Sequence, residues 1–329
     1  MTDLVVEVKE LKKWFPVRLG FFKTVLSRQQ LFVKAVDGIN FKIKKGEIFG
    51  LAGESGSGKT TTGRVILRLT EPTSGKILFQ GKDITNISEE ELKRIRRKMQ
   101  IIFQDPYESI NPRMTVFDIL AEPLRVQKLA SGVELEERVY KALENVDLIP
   151  PEDFVWRFPH ELSGGQRQRV ATGRALIVNP DFIVADEPVS MLDVSIRAEI
   201  LNLMFDLRKR YGVTFLYITH DLALARHICD DIAIMYLGKL MEMGPTEQII
   251  SEPLHPYTEA LIKAVPNPDP HAERVEAVIK GEIPSPISPP SGCRFHTRCP
   301  KYIGNICKEK EPPFVRVGKE HFVACHLYT

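Results

Sequence analysis

The chain has 329 residues, of which 43% are hydrophobic and 27% are charged, as in ordinary folded globular proteins. Its 45 basic and 43 acidic residues leave a net charge of +2, which argues against a nucleic-acid partner because nucleic-acid binders usually carry a strongly basic domain. No apolar run reaches the roughly 18 residues that a transmembrane helix needs, and the charged start lacks the apolar core of a signal peptide. We therefore expect a cytoplasmic protein.

Short apolar runs predict the strands. Apolar residues alternate at Ile39, Phe41 and Ile43, which indicates a strand that ends at the turn Lys45-Gly46-Glu47. Four further runs predict buried strands over residues 48–52, 99–103, 182–185 and 214–219.

Helical signals lie between these strands. Ser88 and the three glutamates after it form a capping sequence, which predicts a helix toward Lys98. Apolar residues at helical spacing over 135–146 predict an amphipathic helix. Alternating strands and helices indicate an α/β fold with a mostly parallel sheet covered on both faces. Prolines crowd residues 253–313, which indicates an appended module.

A glycine-rich loop follows the strand predicted over 48–52. Residues 53–60 read GESGSGKT and match the phosphate-binding pattern G-x-x-x-x-G-K-[ST] between a strand and a helix. Glycines let backbone N–H groups surround phosphate oxygens, so Lys59 is expected to reach the β- and γ-phosphates and Thr60 to bind Mg²⁺. The residues predicted to hold the nucleotide here are Gly53, Ser55, Gly56, Gly58, Lys59, Thr60 and Thr61.

Two adjacent carboxylates end the strand predicted over 182–185. Asp186 is expected to bind Mg²⁺, and Glu187 can polarise the water that attacks the γ-phosphate. An Asp-Glu pair alone is usually solvated surface. The apolar run before it and the phosphate loop upstream favour the catalytic interpretation.

A second glycine pair opens a predicted helix at Leu162-Ser163-Gly164-Gly165-Gln166. Glycines at a helix start indicate backbone N–H groups that meet phosphate. Because the chain already has a phosphate loop for its own nucleotide, this second site is expected to meet the nucleotide held by a partner.

The sequence LSGGQ is the signature of ABC ATPases, and the chain resembles that family over about residues 4–250. The resemblance implies a P-loop core with an antiparallel β subdomain and a helical signature subdomain at about 112–170. It implies that Gln104 senses the γ-phosphate and shares Mg²⁺ with Thr60 and Asp186, and that His220 contacts the γ-phosphate.

The same resemblance implies roles at the edges of the nucleotide. Phe15 aligns with the residue that stacks on adenine, with Trp14 as the alternative, and Asp193 ends the D-loop Ser190-Met-Leu-Asp193. Val189 and Met191 depart from the usual EPTSALD sequence. Two ATP molecules would be held between two such subunits, each between one subunit's Gly53–Thr60 loop and the other's signature residues Ser163, Gly164, Gly165 and Gln166.

Three segments resemble importer ATPases for oligopeptides, dipeptides and nickel, of the F type. They are the stretch QDPYESINPR at 104–113, the insertion over 16–39 and a tail at 253–329, which we expect to follow a nucleotide-binding domain at 1–252. The resemblance implies a second ATPase subunit in a heterodimer, two membrane permeases and an external binding protein. The chain would lie at the cytoplasmic face of the membrane; sugars or nickel are alternative substrates.

Four tail cysteines, Cys293, Cys299, Cys307 and Cys325, follow the spacing C-x5-C-x7-C-x17-C. Four thiolates can hold a [4Fe–4S] cluster or zinc. Because some relatives carry a [4Fe–4S] cluster at matching cysteines, the resemblance implies that cluster, with zinc or plain thiols as alternatives.

A DNA-repair ABC ATPase would need a coiled-coil insertion or two motor domains, and an exporter would usually carry fused membrane helices. Neither feature is present in the sequence.

Overall fold

The computed structural model describes residues 4–17, 30–265, 279 and 281–329, which form two compact units. Within these residues, the first unit comprises 4–5, 44–47 and 86–217, and the second comprises 6–17, 30–43, 48–85 and the residues from 218 onward. The insertion predicted over 16–39 and the proline-rich segment at 265–270 lie partly outside the described residues. The expected division into domains at 252/253 stays a prediction.

The strands occupy the following ranges. They are β1 Leu4–Pro16, β2 Phe32–Lys44, β3 Ile48–Ala52, β4 Ser74–Phe79, β5 Lys82–Asp83, β6 Met99–Ile102, β7 Phe182–Asp186, β8 Thr214–Thr219, β9 Asp231–Tyr236, β10 Lys239–Pro245, β11 Val315–Arg316 and β12 Phe322–Val323. The strands predicted around Ile39–Ile43 and over 48–52, 99–103, 182–185 and 214–219 are confirmed.

The helices occupy these ranges. They are α1 Lys59–Ile66, α2 Glu89–Arg96, α3 Val116–Val126, α4 Gly132–Asn145, α5 Gly164–Leu176, α6 Val194–Tyr211, α7 Leu222–Ile228, α8 Thr246–Ser251, α9 Pro256–Lys263 and α10 Asn305–Glu309. Ser88 Oγ accepts the Glu91 N–H at 3.3 Å, so the predicted cap of α2 is confirmed. Among the described residues, no helix combines the length and the apolar character needed to cross a membrane.

The first unit places the signature helix on an apolar core. Strands β6 and β7 pair in parallel, from Met99 opposite Phe182 to Ile102 opposite Ala185. Helices α3, α4 and α5 pack together through fully buried side chains such as Leu120, Val139 and Val170. Burying each such side chain contributes about 1.5–3 kcal/mol, which holds the start of α5 in place.

The second unit carries the phosphate loop and the tail. Strands β3 and β9 pair in parallel, whereas β9 and β10 are antiparallel. The tail adds β12 to β10, with Val323 opposite Glu242, and β11 to β12. A separate antiparallel sheet has the strand order β2-β1-β4-β5. The tail at 281–329 therefore extends a sheet that contains β3, the strand that leads into the phosphate loop.

Candidate functional site

The phosphate loop is held in a closed shape by its own lysine. Lys59 is 5% exposed, and its Nζ donates to the Gly53 carbonyl at 2.7 Å and to the Glu54 carbonyl at 3.0 Å. The loop connects β3 to α1, as the sequence predicts, and the Thr62 hydroxyl donates to the Gly58 carbonyl at 3.0 Å. A buried cation at the start of a helix suits an anionic ligand.

Glycine is required at two positions of this loop. Gly53 has φ 148° and Gly58 has φ 108°, conformations that side chains rarely adopt. A Cβ at Gly53 would collide with the Met235 carbonyl oxygen, and one at Gly58 with the Ala35 carbonyl oxygen. Gly56 also has a positive φ, of 77°, but a Cβ there meets nothing within 4 Å. The neighbouring backbone therefore fixes the path of the loop at both ends.

In the first unit, three predicted site segments meet around one amide. Gln104 Nε2 donates to Glu187 Oε2 at 3.3 Å and to Ser190 Oγ at 3.3 Å. Ser190 Oγ in turn donates to the Glu187 carbonyl at 3.1 Å. Gln104 follows β6 and Glu187 follows β7, so the parallel pairing of these strands brings the two side chains together.

The two carboxylates differ in exposure, although they are adjacent. Asp186 is 4% exposed at the end of β7, whereas Glu187 is partly exposed. Glu187 also has φ 46°, the left-handed conformation, which costs roughly 1–2 kcal/mol in a residue with a side chain. The turn directs the Glu187 side chain toward Gln104, which places a carboxylate where it can accept a proton from water.

The signature residues begin α5, as the sequence predicts. Ser163 Oγ accepts the Gln166 N–H at 3.2 Å, and Gln166 Oε1 accepts the Ser163 N–H at 2.9 Å, a reciprocal cap. Gly165 is buried so tightly that a Cβ would lie 2.6 Å from Ile196 of α6. Ser163 itself is exposed at the positive end of the helix.

The remaining predicted site residues occupy separate places. Asp193 is exposed directly before α6, and His220 is exposed directly after β8. Phe15 is 38% exposed near the end of β1. The alternative, Trp14, donates its indole N–H to Asp37 at 2.9 Å, which fixes its ring. This contrast favours Phe15 as the ring available for stacking.

The tail cysteines are free thiols that influence one another. Cys293, Cys307 and Cys325 are buried, and Cys299 is partly exposed. The pKa of Cys293 is raised to about 12, mainly by burial and in smaller part by charge repulsion from the other three cysteines. Within the described part of the chain, no group of three or more His, Cys, Asp or Glu side chains is arranged to hold a metal ion. The expected [4Fe–4S] cluster is therefore unsupported, and the residues as placed do not fit it.

Two tail residues that contact the phosphate loop were not predicted from the sequence. The Glu54 N–H donates to Tyr257 Oη at 2.9 Å, and both Glu54 carboxylate oxygens accept from Arg298, at 2.8 and 3.2 Å. Glu54 occupies a variable position of the loop pattern, so the pattern itself carries no information about its partners.

Comparison with protein-family models matches residues 36–190 to the ABC transporter family and residues 241–307 to the C-terminal region of oligopeptide/dipeptide transporters. The oligopeptide transport ATP-binding protein AppF of Bacillus subtilis is 48% identical over 330 residues, which cover 99% of this chain and 98% of AppF. The chain belongs to the ATP-binding proteins of ABC transporters. A putative peptide import ATP-binding protein of Brucella ovis is 52% identical over 293 residues, 89% of this chain and 92% of that protein.

Solved structures agree with this family. The ATP-binding cassette MJ0796, in a dimeric post-hydrolysis state bound to ADP and phosphate, matches with a TM-score of 0.63 at 30% identity, over 73% of this chain and 98% of its own. CbiO1 of Clostridium perfringens, part of the ABC transporter complex CbiONQ, matches with a TM-score of 0.65 at 28% identity, over 76% and 92%. The chain is thus an ABC ATPase with the P-loop fold and mixed α/β sheets.

Proposed function

We propose that this ABC ATPase drives an importer of oligopeptides at the cytoplasmic face of the membrane. The observation that carries the hydrolytic part is the contact of Gln104 with both Glu187 and Ser190 at 3.3 Å, because it joins three segments that the reaction needs. The peptide substrate is supported by the match of residues 241–307 and by the names of the similar proteins. Importers of oligosaccharides or nickel are the less favoured alternative.

In this proposal, the Gly53–Thr60 loop binds the phosphates of ATP through backbone N–H groups and Lys59. Thr60, Gln104 and Asp186 supply hydroxyl, amide and carboxylate oxygens, a donor set that suits Mg²⁺. When bound, Mg²⁺ would neutralise charge on the β- and γ-phosphates. Thr61, Ser55 and Gly56 complete the loop contacts, and the Phe15 ring stacks on adenine.

Glu187 orients and polarises the attacking water, which forms a bond to the γ-phosphorus while the bond to ADP breaks. His220 contacts the γ-phosphate. The partly exposed Glu187 carboxylate and its hydrogen bond from Gln104 support this role, since the carboxylate can reach water while its direction is fixed.

A second ABC ATPase subunit completes the motor. The exposed Ser163 and the glycines at the start of α5 are proposed to bind the nucleotide held by that subunit, with Gln166 and Asp193 beside them. We propose a heterodimer that moves two permease subunits, with an external binding protein delivering substrate. No nucleic acid takes part.

The deciding experiment uses the complete complex in lipid. ATP turnover is measured with the binding protein empty, loaded with oligopeptides, and loaded with oligosaccharides. Stimulation by oligopeptides alone is the expected result. Stimulation by oligosaccharides alone would retain the motor and overturn the peptide assignment.

The tail cysteines receive no step in this mechanism. Among the described residues, the lack of a His, Cys, Asp or Glu group arranged to hold a metal ion favours plain thiols over a metal site among the alternatives. Iron and acid-labile sulfide are measured on chain purified without oxygen. Stoichiometric amounts of both would reinstate the [4Fe–4S] cluster, zinc alone would assign a zinc site, and the absence of all three would leave thiols.

A further inference from the structure

The tail contacts the phosphate loop at Glu54. Glu54, the second residue of the loop, makes three hydrogen bonds with the tail. Its backbone N–H donates to Tyr257, and its carboxylate accepts two hydrogen bonds from Arg298. The carbonyl of the same residue accepts the Lys59 ammonium at 3.0 Å. Glu54 therefore connects tail residues Tyr257 and Arg298 directly to the lysine that is proposed to hold the phosphates.

The tail side of this contact is closely packed. Tyr257 is fully buried, and the Arg298 side chain is 8% exposed. The rings of Tyr236, Tyr257 and Phe295 pack against each other with centroids 4.8–5.4 Å apart. Burial would lower the pKa of Arg298, but its hydrogen bonds to Glu54 and Tyr236 raise it, so the guanidinium stays charged. The Arg298–Glu54 pair is bidentate and partly buried, and such a pair has a more fixed geometry and is worth more than a surface ion pair.

A second buried arginine in the tail gives a direct comparison. Arg294 binds the Asp37 carboxylate and the Leu237 carbonyl, and its side chain is also 8% exposed. Both arginines attach the tail to the rest of the second unit through a carboxylate. The partner of Arg298 belongs to the Gly53–Thr60 loop itself. Arg294 reaches that loop indirectly, because it binds the Leu237 carbonyl and the next residue, Gly238, donates its N–H to the Ser57 carbonyl at 2.8 Å.

We propose that Tyr257 and Arg298 are positioning residues for nucleotide binding, which hold Glu54 and thereby the loop backbone and Lys59 in the conformation that accepts ATP. This inference rests on the proposed function of the Gly53–Thr60 loop. It assigns the tail a part in the affinity for ATP, in addition to its place in the sheet.

The test uses the full-length subunit in its complex and measures KM for ATP and kcat. Tyr257→Phe removes only the oxygen that accepts the Glu54 N–H, and Arg298→Ala removes both bonds to the carboxylate. Each change is expected to raise KM for ATP, Arg298→Ala by about tenfold because charged hydrogen bonds are lost, while kcat changes less than about twofold. Glu54→Ala is expected to add little to Arg298→Ala, because both variants break the same pair.

Arg294→Ala is the matched control, since it removes a similarly buried arginine whose partners lie outside the loop. It is expected to lower the unfolding midpoint as Arg298→Ala does, but to leave KM within about twofold of the wild type. An unchanged KM in Tyr257→Phe and Arg298→Ala, or an equal rise in Arg294→Ala, overturns the proposal. If Arg298→Ala does not fold, Tyr257→Phe and Arg298→Lys carry the same comparison.

Failure of the underlying site gives a different result. Lys59→Ala is measured beside these variants for direct binding of ATP. If Lys59→Ala still binds ATP as the wild type does, the nucleotide site itself is misassigned. If Lys59→Ala loses binding while Tyr257→Phe and Arg298→Ala bind normally, the nucleotide site stands and the positioning role of the tail is wrong.

Discussion

The two ends of the proposed nucleotide sandwich are built differently. The Gly53–Thr60 loop, in the second unit, is closed by Lys59 from within and by Tyr257 and Arg298 from the tail. The D-loop and the residue after it, in the first unit, expose large apolar side chains: Met191 is 64% exposed, and Val194, the first residue of α6, is 80% exposed.

This difference follows from what each segment is proposed to bind. A loop that holds the chain's own ATP gains affinity from being preorganised, because ordering it on binding would cost conformational entropy. A surface that meets another subunit must stay accessible, and exposed apolar side chains supply the area that association buries. The hydrogen-bonded loop is thus suited to binding the chain's own ATP, and the exposed D-loop is suited to contact with a second subunit.

The largest expected effect comes from changing the Glu187 carboxylate, which lies shortly before the D-loop in the first unit. Glu187→Gln keeps the shape of the side chain but removes the charge that polarises water, so ATP turnover should fall by roughly 100-fold or more. ATP-dependent pairing with the second subunit should persist, because binding does not need the charge. Turnover is measured in the complex and pairing by sedimentation. Turnover within about twofold of the wild type would remove Glu187 from this role.

The next largest effect is expected in the Gly53–Thr60 loop, and it tests whether the neighbouring backbone fixes the path of that loop. Gly58→Ala places a Cβ against the Ala35 carbonyl oxygen at a positive φ, so the loop must shift. We expect a loss of at least about 3 kcal/mol in the free energy of unfolding, as for strongly strained or overpacked sites, together with weaker ATP binding. Gly56→Ala is the matched control, since its φ is also positive but nothing lies within 4 Å. That change should cost only about 1 kcal/mol. Thermal and denaturant unfolding measure both losses. Equal losses of unfolding free energy in Gly58→Ala and Gly56→Ala would contradict the comparison.

The free energy of unfolding is expected to depend on pH through His255, a tail residue next to the helix that contacts the phosphate loop. His255 caps α9, the helix that carries Tyr257, and its Nδ1 accepts the Tyr257 N–H at 3.0 Å. Burial lowers the pKa of His255 to about 3 from an ordinary value of 6.5. Between these values the unfolded chain binds a proton that the folded chain rejects, so the free energy of unfolding falls as pH falls from 6.5 toward 3.

His255→Asn keeps a cap acceptor but cannot titrate, so it isolates this contribution. Between pH 6.5 and 5.0 the wild type should lose about 1.5 kcal/mol more unfolding free energy than the variant. Urea unfolding at the two pH values measures the difference. Parallel losses in both proteins would mean that His255 does not titrate in this way.

Local patterns predicted the nucleotide segments, because each combines a short strand or helix with residues whose chemistry is fixed by spacing. The loop at 53–60, the end of β7 and the start of α5 lie where the pattern placed them. The contacts of Glu54 could not be predicted this way. Its partners Tyr257 and Arg298 are 203 and 244 residues away in the chain, and no periodicity connects them.

The tail cysteines show the opposite case. Four thiolates can hold a metal and the resemblance implied a [4Fe–4S] cluster, but spacing does not fix the direction of four side chains in a segment with little regular structure. In the structure Cys293 and Cys307 are buried, and the Cys293 N–H donates to the Cys307 carbonyl at 2.8 Å.

The smallest expected effect on the free energy of unfolding comes from a change in the exposed D-loop. Met191→Ala should leave the unfolding free energy of the isolated subunit within about 0.5 kcal/mol of the wild type, because the side chain is mostly exposed. Its neighbour Leu192 is 9% exposed, so Leu192→Ala should cost about 2 kcal/mol or more. ATP-dependent pairing with the second subunit should nevertheless weaken about fivefold in Met191→Ala, as for truncation at a buried interface. Unchanged pairing would mean that the exposed apolar side chain at 191 does not contribute to the subunit interface.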